Sequence, residues 1–162
     1  MRFTLKPITR DDAQAISRWR YDGPYAVYNG DPASVDSLLE PRLSYHSVYD
    51  ERQDLVGYFC FGEDARVPAG RRLGVYEREA ALDIGLGMRP DLTGLGLGEE
   101  FVRAGLRFAR KAYSPPAFRL TVATFNRRAV RVYERAGFET VETFGARTPG
   151  GGKEWLLMRR GV

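Results

Sequence analysis

One stretch constrains the fold of this 162-residue chain more than any other: Met88-Arg89-Pro90-Asp91-Leu92-Thr93-Gly94-Leu95-Gly96-Leu97-Gly98-Glu99-Glu100-Phe101. A strand-like run stops at a proline, a short turn carries glycine at every second position, and an amphipathic helical period begins at once with Phe101, Val102, Leu106, Phe108 and Ala109. With no side chain at Gly94, Gly96 and Gly98, a ligand can approach the backbone closely, and the N–H groups that open a helix lack an intrahelical acceptor. Such a helix start favours phosphate. The same glycines also suit a chain that merely turns, so the loop alone leaves the presence of a ligand open.

Two phosphate-binding classes fit badly. A dinucleotide fold needs an acidic ribose-binding residue near the end of the following strand, and Val122-Ala123-Thr124-Phe125 offers none. A nucleoside triphosphate loop needs Gly-Lys-Ser or Gly-Lys-Thr where this chain has Gly98-Glu99-Glu100.

Periodicity and turn signals give the remaining elements. Strands are expected at 3–8, 45–49, 55–61, 79–88, 118–122, 138–144 and 153–158, and helices at 11–19, 34–43, 97–113 and 126–136. Ser34 and Asn126 are placed as N-caps, and Gly137 stands where a left-handed residue closes a helix. Residues 20–31 and 65–73 read as loops, because each mixes glycine and proline into its polar sequence. The order βααβββαβαββ predicts an α/β fold with a mixed sheet and helices on both faces, in a single domain over residues 1–162.

A second motif follows about thirty residues after the glycine loop: Asn126-Arg127-Arg128-Ala129-Val130-Arg131-Val132-Tyr133-Glu134-Arg135-Ala136-Gly137-Phe138. Together the two stretches resemble the GNAT superfamily of N-acetyltransferases. Its acetyl-coenzyme A signature is Gln or Arg, two residues, Gly, one residue, then Gly or Ala, followed by a helix that opens on Asn, carries Tyr and ends at Gly-Phe. The resemblance covers residues 55–160 well and the first fifty in outline. It implies a mostly antiparallel sheet of about seven strands and acetyl-coenzyme A as co-substrate without a metal. Thr93 stands where the family usually has Gln or Arg, and Leu95 where a basic residue is frequent. The backbone and basic residues of neighbouring helices then carry more of the phosphate binding.

The resemblance assigns roles residue by residue. Main-chain groups at Thr93, Gly94, Leu95, Gly96, Leu97, Gly98 and Glu99 would hold the diphosphate, with help from Asn126, which also caps its helix. Tyr133 would act as the acid for the departing thiolate, since a phenol of pKa about 10 can donate that proton; its alternative is a core tyrosine on an amphipathic helix. Asp83 would take the place of a catalytic Glu, with Glu79 or a water chain as alternatives and a water-facing acid on a half-exposed strand as the plain reading. Backbone N–H groups at Leu86, Gly87 and Met88 would polarise the thioester carbonyl. Gly85 and Gly87 suit a bulge or a close backbone approach. Arg128, Arg131 and Arg135 share one helix face, either as a solvated stripe or as partners of the coenzyme's phosphates.

For the acceptor the resemblance points to residues 19–39 and the hairpin near 148–153. Tyr25 and Tyr28, with Trp19 and Tyr21, would either form a wall for a cationic amine or pack the loop onto the body. The acceptor class is a small-molecule or protein amine. A non-catalytic acyl-coenzyme A binder and a transferase of longer acyl groups remain the alternatives, and monomer and homodimer are both open.

Composition removes other classes. The net charge of +4 is modest and its signs are interspersed, which gives no case for nucleic acid; residues 103–135 are the basic exception and suit an anionic ligand. Cys60 is the single cysteine, so no internal disulfide is expected. His46 and Cys60 stand alone in strands, a poor basis for metal ligation. The first twenty residues mix charges into short apolar stretches, unlike a signal peptide or a membrane span, so the expected compartment is the cytoplasm.

Overall fold

A computed structural model describes residues 2–145 and 153–162. Seven strands form one sheet: β1 (Thr4–Pro7), β2 (Tyr45–Tyr49), β3 (Leu55–Phe61), β4 (Leu82–Met88), β5 (Ala117–Ala123), β6 (Glu139–Phe144) and β7 (Trp155–Gly161). Their spatial order is β1-β2-β3-β4-β5-β7-β6. Every neighbouring pair is antiparallel except β4 and β5, which run parallel. Among the described residues five α-helices accompany them: α1 (Arg10–Ser17), α2 (Val35–Leu38), α3 (Pro68–Leu73), α4 (Gly98–Tyr113) and α5 (Arg127–Arg135).

Alternation along β3 sorts these helices onto the two faces. Gly57 and Phe59 face α4: a Cβ on Gly57 would collide with the Phe101 ring, and Phe59 packs on Gly105 and stacks on Phe101 with centroids 4.9 Å apart. Glycine at 57 and 105 is what lets helix and strand come this close. Phe59, Phe101, Phe118 and Phe138 are fully buried there and anchor the main core, which α5 joins through Ala129, Val130 and Val132. Tyr58 points to the other face and meets Trp19 just after α1. On that face Asp12 of α1 accepts hydrogen bonds from Ser47 at 2.6 Å and from Tyr49.

The expected element order holds with two corrections. Residues 68–73, expected as loop, form α3. Its Pro68 occupies the first turn, where a missing N–H costs nothing, and Gly74 closes it at φ +71, so the two residues that looked like loop formers mark helix ends. The helix expected over 34–43 shrinks to the single turn α2. Glu40 before Pro41 is held extended (φ −66, ψ 115), which ends the helix and leaves a separate 3-10 turn at Pro41–Leu43. Within the loop at 20–31 the chain makes a 3-10 turn at Gly23–Tyr28. Strand β4 begins at Leu82, three residues later than expected. None of the helices in the described residues is long and apolar enough to cross a membrane.

Candidate active site

Strands β4 and β5 share two rungs, Leu82 with Phe118 and Asp83 with Arg119, and then part. Between them opens a cleft of about 550 Å³, lined from the sheet, from the turn that precedes α4, from α5 and from the 20–31 loop. The closed end is fastened by Asp83. Its carboxylate is 2% exposed and accepts from Arg119 Nε at 2.6 Å and Nη2 at 2.8 Å, and from Arg66 Nε at 2.7 Å. Burial pulls the Arg119 pKa down, and the hydrogen bonds and charge of Asp83 outweigh it, so the net shift is upward.

This corrects the expectation at Asp83. It is not a half-exposed acid but a buried anion with both oxygens engaged by guanidinium groups, and it does not line the cleft. Glu79 also lies outside the lining and pairs with Arg159 at 2.6 Å.

The open edge of β4 follows from its pairing with β3. Gly62 N donates to Asp83 O at 2.9 Å and Arg89 N to Val56 O at 2.8 Å, so the odd-numbered residues of β4 turn their main-chain groups toward β3. In an antiparallel ladder the intervening residues then point the other way. The N–H groups of Leu86 and Met88 therefore face the gap, and the Met88 carbonyl accepts from the Tyr21 phenol at 2.6 Å. The register with β3 runs unbroken from Gly57–Met88 to Phe61–Ile84, so there is no bulge at Gly85 or Gly87. Close approach is the reason for both glycines: a Cβ at 87 would lie 2.5 Å from the Tyr58 ring, and one at 85 would lie 2.6 Å from Cys60 Sγ.

At the other end, the turn before α4 adopts positive φ at Gly94 (+75) and Gly96 (+80), conformations that cost a side-chain-bearing residue. Thr93 spends its hydroxyl inside this turn, donating to Pro90 O at 2.7 Å. Leu97 caps α4 without a side-chain hydrogen bond, and the first amide to find a helical acceptor is Phe101 N on Leu97 O at 3.1 Å. Main-chain donors at 94–100 are thus available, at the positive end of a helix sixteen residues long. Gly98 has a different reason: a Cβ there would lie 2.8 Å from Val132 Cγ2, so it sets the contact between α4 and α5. The Glu99 side chain turns away to Arg103 at 3.0 Å.

Helix α5 presents Arg128, Arg131 and Arg135 to the cleft. Arg128 comes closest to the turn, its Nη1 lying 3.3 Å from where a Cβ of Gly94 would be. A guanidinium from the neighbouring helix therefore stands beside the loop that lacks basic residues of its own. Asn126 caps α5, accepting from Ala129 N at 3.2 Å.

Tyr25 and Tyr28 brace the start of α5 while lining the cleft. The Tyr28 ring stacks on Phe125 at 6.0 Å and its oxygen accepts from Asn126 Nδ2 at 3.3 Å; the Arg128 guanidinium lies 4.4 Å from the centre of the Tyr25 ring. Tyr133 lines the middle of the cleft, half-buried, with its ring edge-on to Phe138 at 6.3 Å. Among the described residues its phenol has no hydrogen-bond partner. Burial, with a lesser push from Tyr28, raises its pKa above the ordinary value.

Tyr21, expected in the aromatic wall, lines the cleft and Trp19 does not; Tyr45, Tyr58 and Asp64 line it without having been singled out from the sequence. The strand alternation that puts Phe59 in the core puts Tyr58 on the opposite face, and Asp64 lies in the 3-10 turn Glu63–Ala65 just past the strand end at Phe61, so a signal for both was present. The hairpin expected near 148–153 as a wall lies largely outside the described residues. Among the described residues no group of three His, Cys, Asp or Glu is close enough to hold a metal.

Residues 2–139 match the acetyltransferase (GNAT) domain family. Over 91 residues, 56% of this chain, the sequence is 37% identical to a mycothiol acetyltransferase of Streptomyces coelicolor and 36% identical to one of Streptomyces avermitilis. The matched segment is 29% of the length of these curated relatives. Among solved structures, a GNAT-family acetyltransferase from Bacillus anthracis superposes with a TM-score of 0.75 at 17% identity, over 99% of this chain and 95% of that one. AAC(6')-Ib in complex with ribostamycin and coenzyme A superposes with a TM-score of 0.71 at 19% identity, over 98% and 93%. At these identities the likeness is one of fold. With the family matched along most of its length, and with a cleft between parting strands beside a glycine turn, this chain belongs to the GNAT family of acetyltransferase domains.

Proposed function

We propose that the protein transfers an acetyl group from acetyl-coenzyme A directly to a primary amine. The observation that carries this reading is the alignment, along one cleft, of a donor-rich turn at 94–100, the open N–H groups of Leu86 and Met88, and the Tyr133 phenol. Acetyl-coenzyme A supplies the activated acyl group and a thiolate that can leave.

The chain's own residues divide the work. Main-chain N–H groups of the glycine turn, with Arg128 and Arg131, bind the diphosphate at the helix start. The edge of β4 at Leu86, Gly87 and Met88 aligns the arm that carries the thioester, and a free N–H there polarises its carbonyl. Tyr133 donates a proton to the departing sulfur. A phenol is protonated at neutral pH, the state an acid requires, and burial shifts Tyr133 further from ionisation. Asn126 and Arg128 are held for their task by Tyr28 and Tyr25, whose rings also face the acceptor's entrance. Asp83 serves as an anchor of the splay, and the attacking amine loses its proton to water in the cleft.

GNAT relatives named for mycothiol and solved neighbours named for spermidine or bound to ribostamycin span diverse acceptors, so the fold alone does not choose among them. A buried neutral thiol at Cys60 agrees with a reducing cytoplasm, the compartment we assign. The test is release of free thiol from acetyl-coenzyme A on incubation with a panel of amines. Amine-dependent release is expected; coenzyme binding without release from any amine points to a binding domain instead.

A further inference from the structure

We infer that Asp64, held by Tyr45, seats a second positive charge on the acceptor, so that the preferred acceptor is a diamine or polyamine rather than a monoamine, given acetyl transfer at Leu86 and Met88 as proposed above.

The cleft is electrically polarised. Arg128, Arg131 and Arg135 line it beside α5, whereas Asp64 is the sole carboxylate among its described lining residues. Tyr45 donates its phenolic hydrogen to Asp64 Oδ2. That bond orients the exposed carboxylate, and Oδ1 has no hydrogen-bond partner among the described residues. The Tyr45 and Tyr58 rings stand together beside it, with centroids 6.1 Å apart. Ring faces and an oriented carboxylate form the environment that attracts an ammonium group. The nearby Cys60 adds no competing charge: burial pushes its thiol up to about 12, so it stays neutral.

Strand register places this seat relative to the chemistry. Tyr45 pairs with Cys60, and Cys60 with Gly85. Ala65, next to Asp64, lies 3.4 Å from where a Cβ of Gly85 would be. The seat is therefore level with Gly85, and Tyr58 is level with Gly87. Two residues of strand span about 7 Å. Along the strand direction, a primary amine presented between Leu86 and Met88 thus has a carboxylate about one short methylene chain away.

The experiment compares 1,4-diaminobutane with butylamine as acceptors for the full chain, with thiol release as readout. Wild type should favour the diamine in kcat/KM by about ten- to a hundredfold, the usual worth of a hydrogen bond to a charged group. Asp64→Asn should bring that ratio close to one, chiefly through KM for the diamine, and Asp64→Glu should restore part of it. A wild type without preference, or an Asp64→Asn variant that keeps it, overturns the inference. So does a loss confined to kcat with a displaced pH profile, which would make Asp64 a base. Calorimetric titration of 1,4-diaminobutane into the protein saturated with coenzyme A reads the same contact without turnover. If no amine yields thiol yet the diamine binds and Asp64→Asn abolishes binding, acetyl transfer fails and the seat stands; if wild type binds no diamine, the seat fails.

Discussion

Asp83 and Arg119 face each other across the last rung that joins β4 to β5, and two hydrogen bonds, of 2.6 and 2.8 Å, hold their side chains together at the point where the cleft begins. Arg119 and Arg66 flank the Tyr76 ring at 5.2 and 5.3 Å, and the Tyr76 oxygen lies 2.7 Å from Thr121 Oγ1 on β5. The ionic group thus closes the end of the cleft where β4 and β5 still pair, with the Tyr76 ring against both of its arginines.

Removing one partner strands a buried charge. Arg119→Met is expected to lower stability by about 3–5 kcal/mol in denaturant unfolding, the usual cost of breaking a buried pair. Asp83→Asn keeps the shape and should destabilise as well, since it leaves two guanidinium groups without their anion. If Asp83→Asn instead retained full stability and lost turnover alone, with an altered acid limb in its pH profile, Asp83 would be the base after all.

Tyr133→Phe is expected to reduce kcat by about a hundredfold to ten-thousandfold, the range a general acid contributes, with thermal stability and coenzyme affinity nearly unchanged. Because burial raises the phenol's pKa, wild-type kcat should not fall on the alkaline side until the pH exceeds the ordinary tyrosine value of about 10. An alkaline limb near pH 8 that vanishes in Tyr133→Phe would contradict this environment.

Two glycines of the turn should fail for different reasons. Gly96→Ala meets nothing within 4 Å but must hold φ near +80, so a loss of about 1–2 kcal/mol is expected from backbone strain alone. Gly98→Ala drives a methyl into Val132 and should cost about 1–3 kcal/mol by overpacking, while weakening coenzyme A binding in calorimetry. Adding Val132→Ala should restore Gly98→Ala and leave Gly96→Ala unimproved.

His46 offers a pH handle on stability. It packs against Phe108 at 4.7 Å and Phe61 at 5.7 Å, and burial lowers its pKa below 6.5 despite an opposing hydrogen bond to Ser44 O. The folded state thus disfavours the charged ring. Its contribution is complete above about pH 6.5 and lost as the pH falls through the lower folded-state pKa. Denaturant unfolding at pH 7.5 and pH 5 should show that drop, and His46→Phe should reduce it.

Much of this architecture was legible because the local signals agree with the tertiary ones. The glycine turn, the Asn126 cap and Gly137 at φ +95 each need a particular backbone state, and each recurs where the sequence put it. The misjudged segments were short ones in which one residue type serves two ends. Pro68 and Gly74 bound a helix of six residues, too brief for an apolar period to announce it. At Asp83 the strand was right and the burial wrong, since an acid flanked by apolar residues is a solvated position until its partner is known. Arg119 lies 36 residues away and is brought alongside only by the parallel pairing of β4 and β5. Tyr45, Tyr58 and Asp64 meet through strand register in the same way, which a one-dimensional pattern does not carry.

A crystal structure of the protein with coenzyme A would show whether the glycine turn and Tyr133 serve one bound coenzyme. The diphosphate is expected within hydrogen-bond distance of main-chain nitrogens at 94–100 and beside Arg128, with the sulfur next to the Tyr133 oxygen between β4 and β5. A turn left empty at saturating coenzyme, or a Tyr133 phenol directed away from the sulfur, would contradict that placement.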